Sequence, residues 1–99
     1  MARFHVYRLR SDGVSAIDLQ ANILSDLPSR LMAPLYPVSE MSWSISRLNP
    51  RFVIEGELHA MATQRMAAIP VSEIGAELAD LSARSDDIIA ATDFLFQGF

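Results

Sequence analysis

Histidine, serine and acidic side chains are the residues of this chain that could carry acid–base or metal chemistry. Its two histidines, His5 and His59, alternate with apolar residues in segments rich in strand formers. A zinc site needs a third ligand, and no H-E-x-x-H spacing is present. No G-x-S-x-G turn exposes a serine nucleophile either. We therefore predict no metal, no cofactor and no catalytic residue, and interpret both histidines as surface or half-buried strand positions.

Metal-free RNA cleavage is the one other chemistry that the residue types allow. Arginine can stabilise the charged phosphorane of the reaction while an acid moves protons. Arg8, Arg10, Thr63 and Asp80 provide these types. The same residues are ordinary choices for a protein surface, so a metal-free endoribonuclease remains an alternative function.

Paired carboxylates and glycines have structural interpretations. Glu55 and Glu57 flank a glycine in a predicted turn, where charge keeps a loop solvated, and Asp86 with Asp87 fits the first turn of a helix. The four glycines are scattered and form no phosphate-binding loop. We expect each of them to relieve a turn or cap conformation.

The C-terminal tail is the most unusual feature. Phe94, Phe96 and Phe99 place three of the chain's five phenylalanines in its last six residues. At about 100° per residue these rings spread around a helix and cannot all face one small core. An aromatic terminus of this kind indicates burial in the fold, in a dimer interface or in a partner protein. The aromatic surface that the core cannot cover would be absorbed by a dimer or a partner.

The segments that must position these residues read mainly as strands. Residues 4–10 alternate and end at a Ser-Asp-Gly turn, and residues 14–20 are predicted as their hairpin partner. Residues 30–35 form another predicted strand, in which Pro34 indicates an edge or a bulge.

The middle of the chain contains an irregular segment and a hairpin. Residues 36–50 suggest an excursion from the sheet, with Trp43 as its anchor into apolar surface. Residues 51–54 and 58–63 flank a short glycine-containing connection and predict a hairpin. Residues 66–71 are predicted as a final short strand, followed by a turn over residues 72–75.

The last 18 residues change to helical periodicity. Apolar and small residues recur at spacings of three or four, with Ser82 or Ser85 as the expected N-cap. Short strands followed by one helix predict an antiparallel, β-rich domain, small enough to be a partly closed barrel. We expect a single domain over residues 1–99, with a barrel region over 1–81 and the helix and tail over 82–99.

Composition restricts the classes of partner. The chain has eight arginines, no lysine and 12 acidic residues, which gives a net charge of −4 without a basic cluster in the sequence. Such a balance disfavours nucleic-acid binding, which depends on neutralising phosphates. The absence of cysteine agrees with a reducing cytoplasm, and no stretch resembles a signal peptide or a membrane span.

One motif resembles a known family closely. It reads M-x-T-x-x-M-A-x-I-P-V-S-x-I-G-x-E-L-A-D-L-S over residues 61–82, and continues through D-I at 87–88 and L-F-x-G at 95–98. Matches nearer the N-terminus are F-x-V-Y at 4–7, D-L-Q at 18–20, I-L at 23–24 and R-L-M-A-P-L at 30–35. In this order the chain resembles the CcdB family, the gyrase-poisoning toxins of plasmid and chromosomal toxin–antitoxin modules.

The resemblance implies a fold and a function. The implied fold is mainly β: an SH3-like antiparallel barrel of the CcdB/Kid/MazF type, with a small extra β element and a long C-terminal helix, assembled as a homodimer. The implied activity is binding to the A subunit of DNA gyrase and trapping of the cleaved-DNA complex. A CcdA-like antitoxin would neutralise the toxin by wrapping a disordered segment around it.

The resemblance also implies which residues face gyrase. Matched position by position, these are Ile23, Leu24, Asp93, Phe96, Gln97, Gly98 and Phe99. The family pattern has a tryptophan where this chain has Gln97. A homologue that no longer poisons gyrase is therefore a further alternative, beside a Kid/MazF-type ribonuclease.

Overall fold

A computed structural model describes residues 1–99 as seven strands followed by one α-helix. The strands are β1 (His5–Leu9), β2 (Ser15–Asp18), β3 (Ser29–Pro37), β4 (Arg51–Ile54), β5 (Glu57–Met61), β6 (Ala67–Pro70) and β7 (Ile74–Asp80), and the helix is α1 (Ser85–Gln97). Short 3-10 turns lie at Asn22–Leu24, Val38–Glu40, Thr63–Arg65, Val71–Glu73 and Ser82–Arg84.

All seven strands belong to one curled antiparallel sheet. Its order is β4-β5-β3-β2-β1-β7, and β6 pairs with β3 off this path. The predicted mainly β fold with a C-terminal helix is confirmed as a half-barrel. The small extra β element that the resemblance implied does not form a separate sheet, because every strand is part of this one.

The two predicted hairpins are confirmed. β1 pairs with β2, with Tyr7 opposite Ala16. β4 pairs with β5, with Ile54 opposite Glu57, so Glu55 and Gly56 form a two-residue turn. Both turn residues have positive φ, 51° and 79°, as a type I′ turn requires.

Pro34 lies in an inner strand, so the predicted edge position is wrong. β3 pairs with β2 along one side, and along the other it pairs first with β6 and then with β5. The Pro34 carbonyl accepts a hydrogen bond from the Ala62 N–H at 2.8 Å. Because the N–H that proline lacks would point to that same side, Pro34 occupies the gap where β3 changes partners.

The strand β7 was not predicted, and residues 66–71 are therefore not the final strand. β7 pairs with β1 through Val6 opposite Ala79 and Leu9 opposite Ile74. Gly75, expected in a turn, lies in this strand instead. A Cβ at Gly75 would be 2.6 Å from the Arg8 carbonyl oxygen, so glycine here permits a close approach of two backbones.

The excursion between β3 and β4 is held by residues other than Trp43. Met41 and Asn49 are buried, whereas Trp43 is 43% exposed and its ring lies 5.2 Å from the Arg65 guanidinium. The Asn49 amide donates to the Met61 carbonyl and to Gln64 Oε1, both at 2.8 Å. The prediction of Trp43 as the apolar anchor is therefore wrong, because a hydrogen-bonded asparagine holds the loop.

The helix α1 closes the open side of the core. Ile88 and Ala91 are fully buried against Val6, Ile17 and the inner faces of the other strands. Asp86 and Asp87 lie in the first turn as predicted, but the N-cap is Arg84 and no serine side chain caps the helix. No helix is long and apolar enough to cross a membrane.

Candidate recognition surface at the end of the C-terminal helix

The aromatic tail divides between the fold and the surface. Phe94 is partly covered by the Arg47 guanidinium, 4.4 Å above its ring. Phe96 and Phe99 are 72% and 75% exposed. The expectation that the three rings cannot all enter one core is therefore confirmed, and two of them remain on the surface.

Gly98 determines where the chain goes after the helix. It has the left-handed conformation, with φ 81°, and its N–H donates to the Phe94 carbonyl at 2.9 Å. Glycine adopts this conformation without the steric cost that a Cβ adds. The cap ends the helix after Gln97 and leaves the Phe99 ring in solvent.

A shallow apolar cleft lies beside Phe96. It has a volume of about 180 Å³, and Phe4, Leu31, Ile89 and Thr92 are among the residues that line it with Phe96. Ile89 and Phe96 are seven residues apart, which places them within about 20° of each other around the helix. The cleft thus extends from the exposed side of α1 to the edge of the core, because Leu19 and Ile88 also line it.

Arg3 connects this cleft to the predicted residues Ile23 and Leu24. Its side chain lines the cleft, and its backbone N–H donates to Asn22 Oδ1 at 2.9 Å. Its Nε donates to the Leu19 carbonyl at 3.1 Å. Arg3 therefore fastens the 3-10 turn Asn22–Leu24 beside the cleft.

The turn presents apolar side chains to solvent. Ile23 is 91% exposed and Leu24 is 48% exposed. Nothing in the fold covers Ile23, although isoleucine is among the residues most often buried in proteins. Together with Phe96, these residues make an unusually apolar surface around Arg3.

Asp93 and Gln97 are exposed on α1, and neither side chain makes an intramolecular hydrogen bond or ion pair. Asp93 lies one helical turn after Ile89 and so joins its face of the helix. We call the seven residues predicted from the resemblance, Ile23, Leu24, Asp93, Phe96, Gln97, Gly98 and Phe99, the tail surface. Each of them is exposed.

The four residues of the ribonuclease alternative lie in separate environments. Thr63 is fully buried and its hydroxyl donates to the Leu48 carbonyl, while Arg8 forms an ion pair with Glu55. Asp80 lies next to His5, at the opposite end of β1 from Arg10. The predicted set therefore forms no common site.

Both histidines have local partners. His5 is half-buried, as predicted, with Nδ1 2.9 Å from Glu77 Oε1 and Nε2 3.3 Å from Asp80 Oδ1. His59 is 8% exposed, more buried than predicted, and its Nδ1 lies 2.9 Å from the Glu57 carbonyl oxygen. Three of the four ring nitrogens therefore have a partner within the sheet.

One carboxyl group and one phenol group near β1 have perturbed acidity. The Ser82 side chain and backbone N–H bind the Asp80 carboxylate and, with the charge of His5, lower the Asp80 pKa below 3.8. Burial raises the Tyr7 pKa above 10, and the negative charges of Glu77 and Asp18 add to this. Neither group belongs to the tail surface.

Comparison with known families agrees with the fold. A family model described as "CcdB protein" matches residues 3–98, which is nearly the whole chain. This match includes the tail surface up to Gly98 and confirms the resemblance that the sequence motifs indicated. CcdB proteins are toxins of toxin–antitoxin modules and act by binding. The chain belongs to the CcdB family.

Proposed function

We propose that this protein is a cytoplasmic toxin that binds the A subunit of DNA gyrase and traps the cleaved-DNA complex. It acts by binding and not as an enzyme. A CcdA-like antitoxin with a disordered segment neutralises it. The match of residues 3–98 to the CcdB family supports the toxin role. Gyrase as the target is our proposal.

The observation that carries the proposal is the exposure of Phe96 and Phe99 at the end of α1, at 72% and 75%. Aromatic side chains dominate the binding energy of protein interfaces, where few residues contribute most of the affinity. Two rings that are largely exposed to solvent contribute little to the core. They are therefore available to a partner.

We further propose that the toxin is a homodimer in which two tail surfaces lie side by side. A two-fold axis would present each recognition residue twice to a symmetric target. It would also cover part of the apolar surface that a monomer leaves exposed.

Gln97 limits the affinity of this surface. Loss of an aromatic anchor at the centre of an interface costs about 2–4 kcal/mol, which is on the order of 30-fold to 1000-fold in affinity for one copy. Glutamine can form hydrogen bonds but cannot stack comparably. Phe99, two residues after Gln97, provides an exposed aromatic ring on the same surface.

Expression of the intact chain and of a version ending at Phe96 tests the proposal. We expect the intact chain to stop growth and to co-purify with gyrase, and the shortened chain to do neither. Val53→Ala is the matched control, because Val53 is a 64% exposed apolar residue on β4, outside the tail surface. Its toxicity should equal that of the parent.

Two other results would each support a different function. If both chains are harmless and neither binds gyrase, the protein is a homologue that has lost poisoning. If the purified protein instead cuts RNA at specific sequences, and Arg8→Ala abolishes the cutting, it is a ribonuclease toxin.

A further inference from the structure

Three arginines from two distant segments of the chain meet in one cleft. Arg47 and Arg51, from the segment that enters β4, face Arg84 at the start of α1 across a cleft of about 380 Å³. No run of basic residues in the sequence marks this cluster. Asp87 is the only acidic residue in the lining.

The charges of this cleft are mostly uncompensated. Arg84 pairs with Asp87 through its Nε, 2.8 Å from Oδ2. Arg47 and Arg51 form no ion pair with any carboxylate of the chain. The cleft therefore concentrates positive charge on a molecule whose net charge is −4.

Aromatic rings and backbone groups hold two of the guanidinium groups in place. Arg47 lies over Phe94 at 4.4 Å, and Arg84 lies over Phe52 at 4.7 Å. Arg84 also donates to the Arg51 carbonyl at 3.3 Å. Stacked arginines lose less side-chain freedom when they bind, so an anion meets donors that are already oriented.

We propose that this cleft, which we call the arginine cleft, binds an acidic peptide segment of a partner protein. A planar guanidinium matches a carboxylate with two parallel N–H donors. Arg47 makes no hydrogen bond within the chain, and Arg51 makes one weak contact at 3.5 Å to the Ser44 hydroxyl. Most of their donors are free for ligand carboxylates.

A peptide fits the surroundings better than a nucleic acid does. Nucleic-acid affinity grows with the number of phosphates neutralised along a backbone. Here three arginines are confined to one cleft, and residues 51–99 carry eight acidic residues against three arginines. A short segment with a few carboxylates needs no more positive charge than the cleft provides.

The arginine cleft adjoins only one part of the tail surface. Asp87 and Ala90 line the cleft and Phe94 lies under Arg47, whereas Ile89 and Phe96 are roughly 100–180° further around α1. Gln97, seven residues after Ala90, lies within about 20° of it. An acidic segment in the cleft would therefore leave Phe96 uncovered but lie on the same side of α1 as Gln97. The inference does not depend on gyrase being the target.

Fluorescence anisotropy with a fluorescein-labelled octa-glutamate peptide at low salt tests the proposal. We expect binding to the parent, weakened about threefold to tenfold by Arg51→Gln and by Arg47→Gln. Arg51→Lys keeps the charge but loses the planar fork, so it should bind between the parent and Arg51→Gln. Arg10→Gln is the matched control, an exposed arginine outside the cleft.

Several results would overturn the proposal. Absence of peptide binding is one, and equal weakening by Arg10→Gln is another, because it would indicate diffuse charge attraction only. Tighter, arginine-dependent binding of a (dT)8 oligonucleotide would show a phosphate site. Arg51 makes no ion pair and only one weak side-chain contact, so Arg51→Gln should leave the unfolding temperature unchanged. An unchanged unfolding temperature then excludes misfolding as the cause of lost peptide binding.

Discussion

Arg30 and Asp18 form a fully buried ion pair inside the half-barrel. The Arg30 Nε donates to Asp18 Oδ2 at 2.9 Å, Nη2 binds the same oxygen, and the two side chains are 1% and 0% exposed. The other carboxylate oxygen accepts the Gln20 N–H at 3.0 Å. Two charges in the core are tolerated because each one compensates the other.

Breaking this pair should be among the most destabilising single changes in the chain. Asp18→Asn or Arg30→Met leaves one charge buried without a partner, which costs about 3–5 kcal/mol. The double variant Asp18→Asn/Arg30→Met removes both charges and should recover most of that loss. Urea unfolding of the three variants measures it, and additive losses in the double variant would contradict a coupled pair.

Gly75→Ala should weaken the pairing of β7 with β1. The added Cβ would be 2.6 Å from the Arg8 carbonyl oxygen, which is backbone and cannot rotate away. We expect a loss of about 1–3 kcal/mol in the free energy of unfolding. Ala76→Ser, at the exposed next position of the same strand, is the control and should change stability by less than about 0.5 kcal/mol.

Tyr7 should make the fold sensitive to alkaline pH. Its pKa is raised above 10 in the folded state, first by burial and then by Glu77 and Asp18. Its contribution to stability is therefore complete below pH 10 and falls as pH rises through the folded pKa. Tyr7→Phe should flatten this alkaline loss, as followed by unfolding temperature against pH. An unchanged profile would show that other groups cause it.

Asp80 should contribute to the loss of folding stability at acidic pH. Its pKa is lowered below 3.8 by the Ser82 hydrogen bonds and by His5. The contribution is present above pH 3.8 and disappears as pH falls through the lower folded pKa. Asp80→Asn should therefore unfold with a shallower pH dependence in this range. An unchanged pH dependence in Asp80→Asn would contradict this role of Asp80.

Phe96→Ala separates a recognition role from a core role. Because the ring is 72% exposed, its loss should change the unfolding free energy by no more than about 0.5 kcal/mol. Binding to gyrase should fall on the order of 30-fold or more if the ring is an interface anchor. A large loss of stability with unchanged binding would assign Phe96 to the fold.

Local chemistry made some elements predictable from sequence. The short connection Glu55-Gly56-Glu57 between two apolar runs predicts a hairpin, and the hairpin is observed, with Ile54 opposite Glu57. The spread of Phe94, Phe96 and Phe99 follows from helix geometry alone. In both cases the determining residues are neighbours in sequence.

Other elements depend on partners that are distant in sequence. Residues 74–80 combine glycine, alanine and glutamate, which have little preference for strands, and become β7 only through pairing with β1. Pro34 is tolerated because two partner strands change over beside it.

The arginine cleft, too, depends on residues that are distant in sequence. It unites residues 47, 51 and 84, and no local pattern connects them. The tail surface is different, because its residues were found through resemblance to a family and most of them are consecutive. The exposure of its side chains, however, follows only from the three-dimensional structure.

The position of Arg3 has a practical consequence for labelling. Arg3 lines the cleft beside Phe96, so a purification tag fused at either terminus would lie next to the tail surface and obstruct it. A short epitope inserted between Glu55 and Gly56 would lie in a turn whose residues line neither that cleft nor the arginine cleft. For pull-down experiments, the affinity epitope should therefore be inserted in that hairpin.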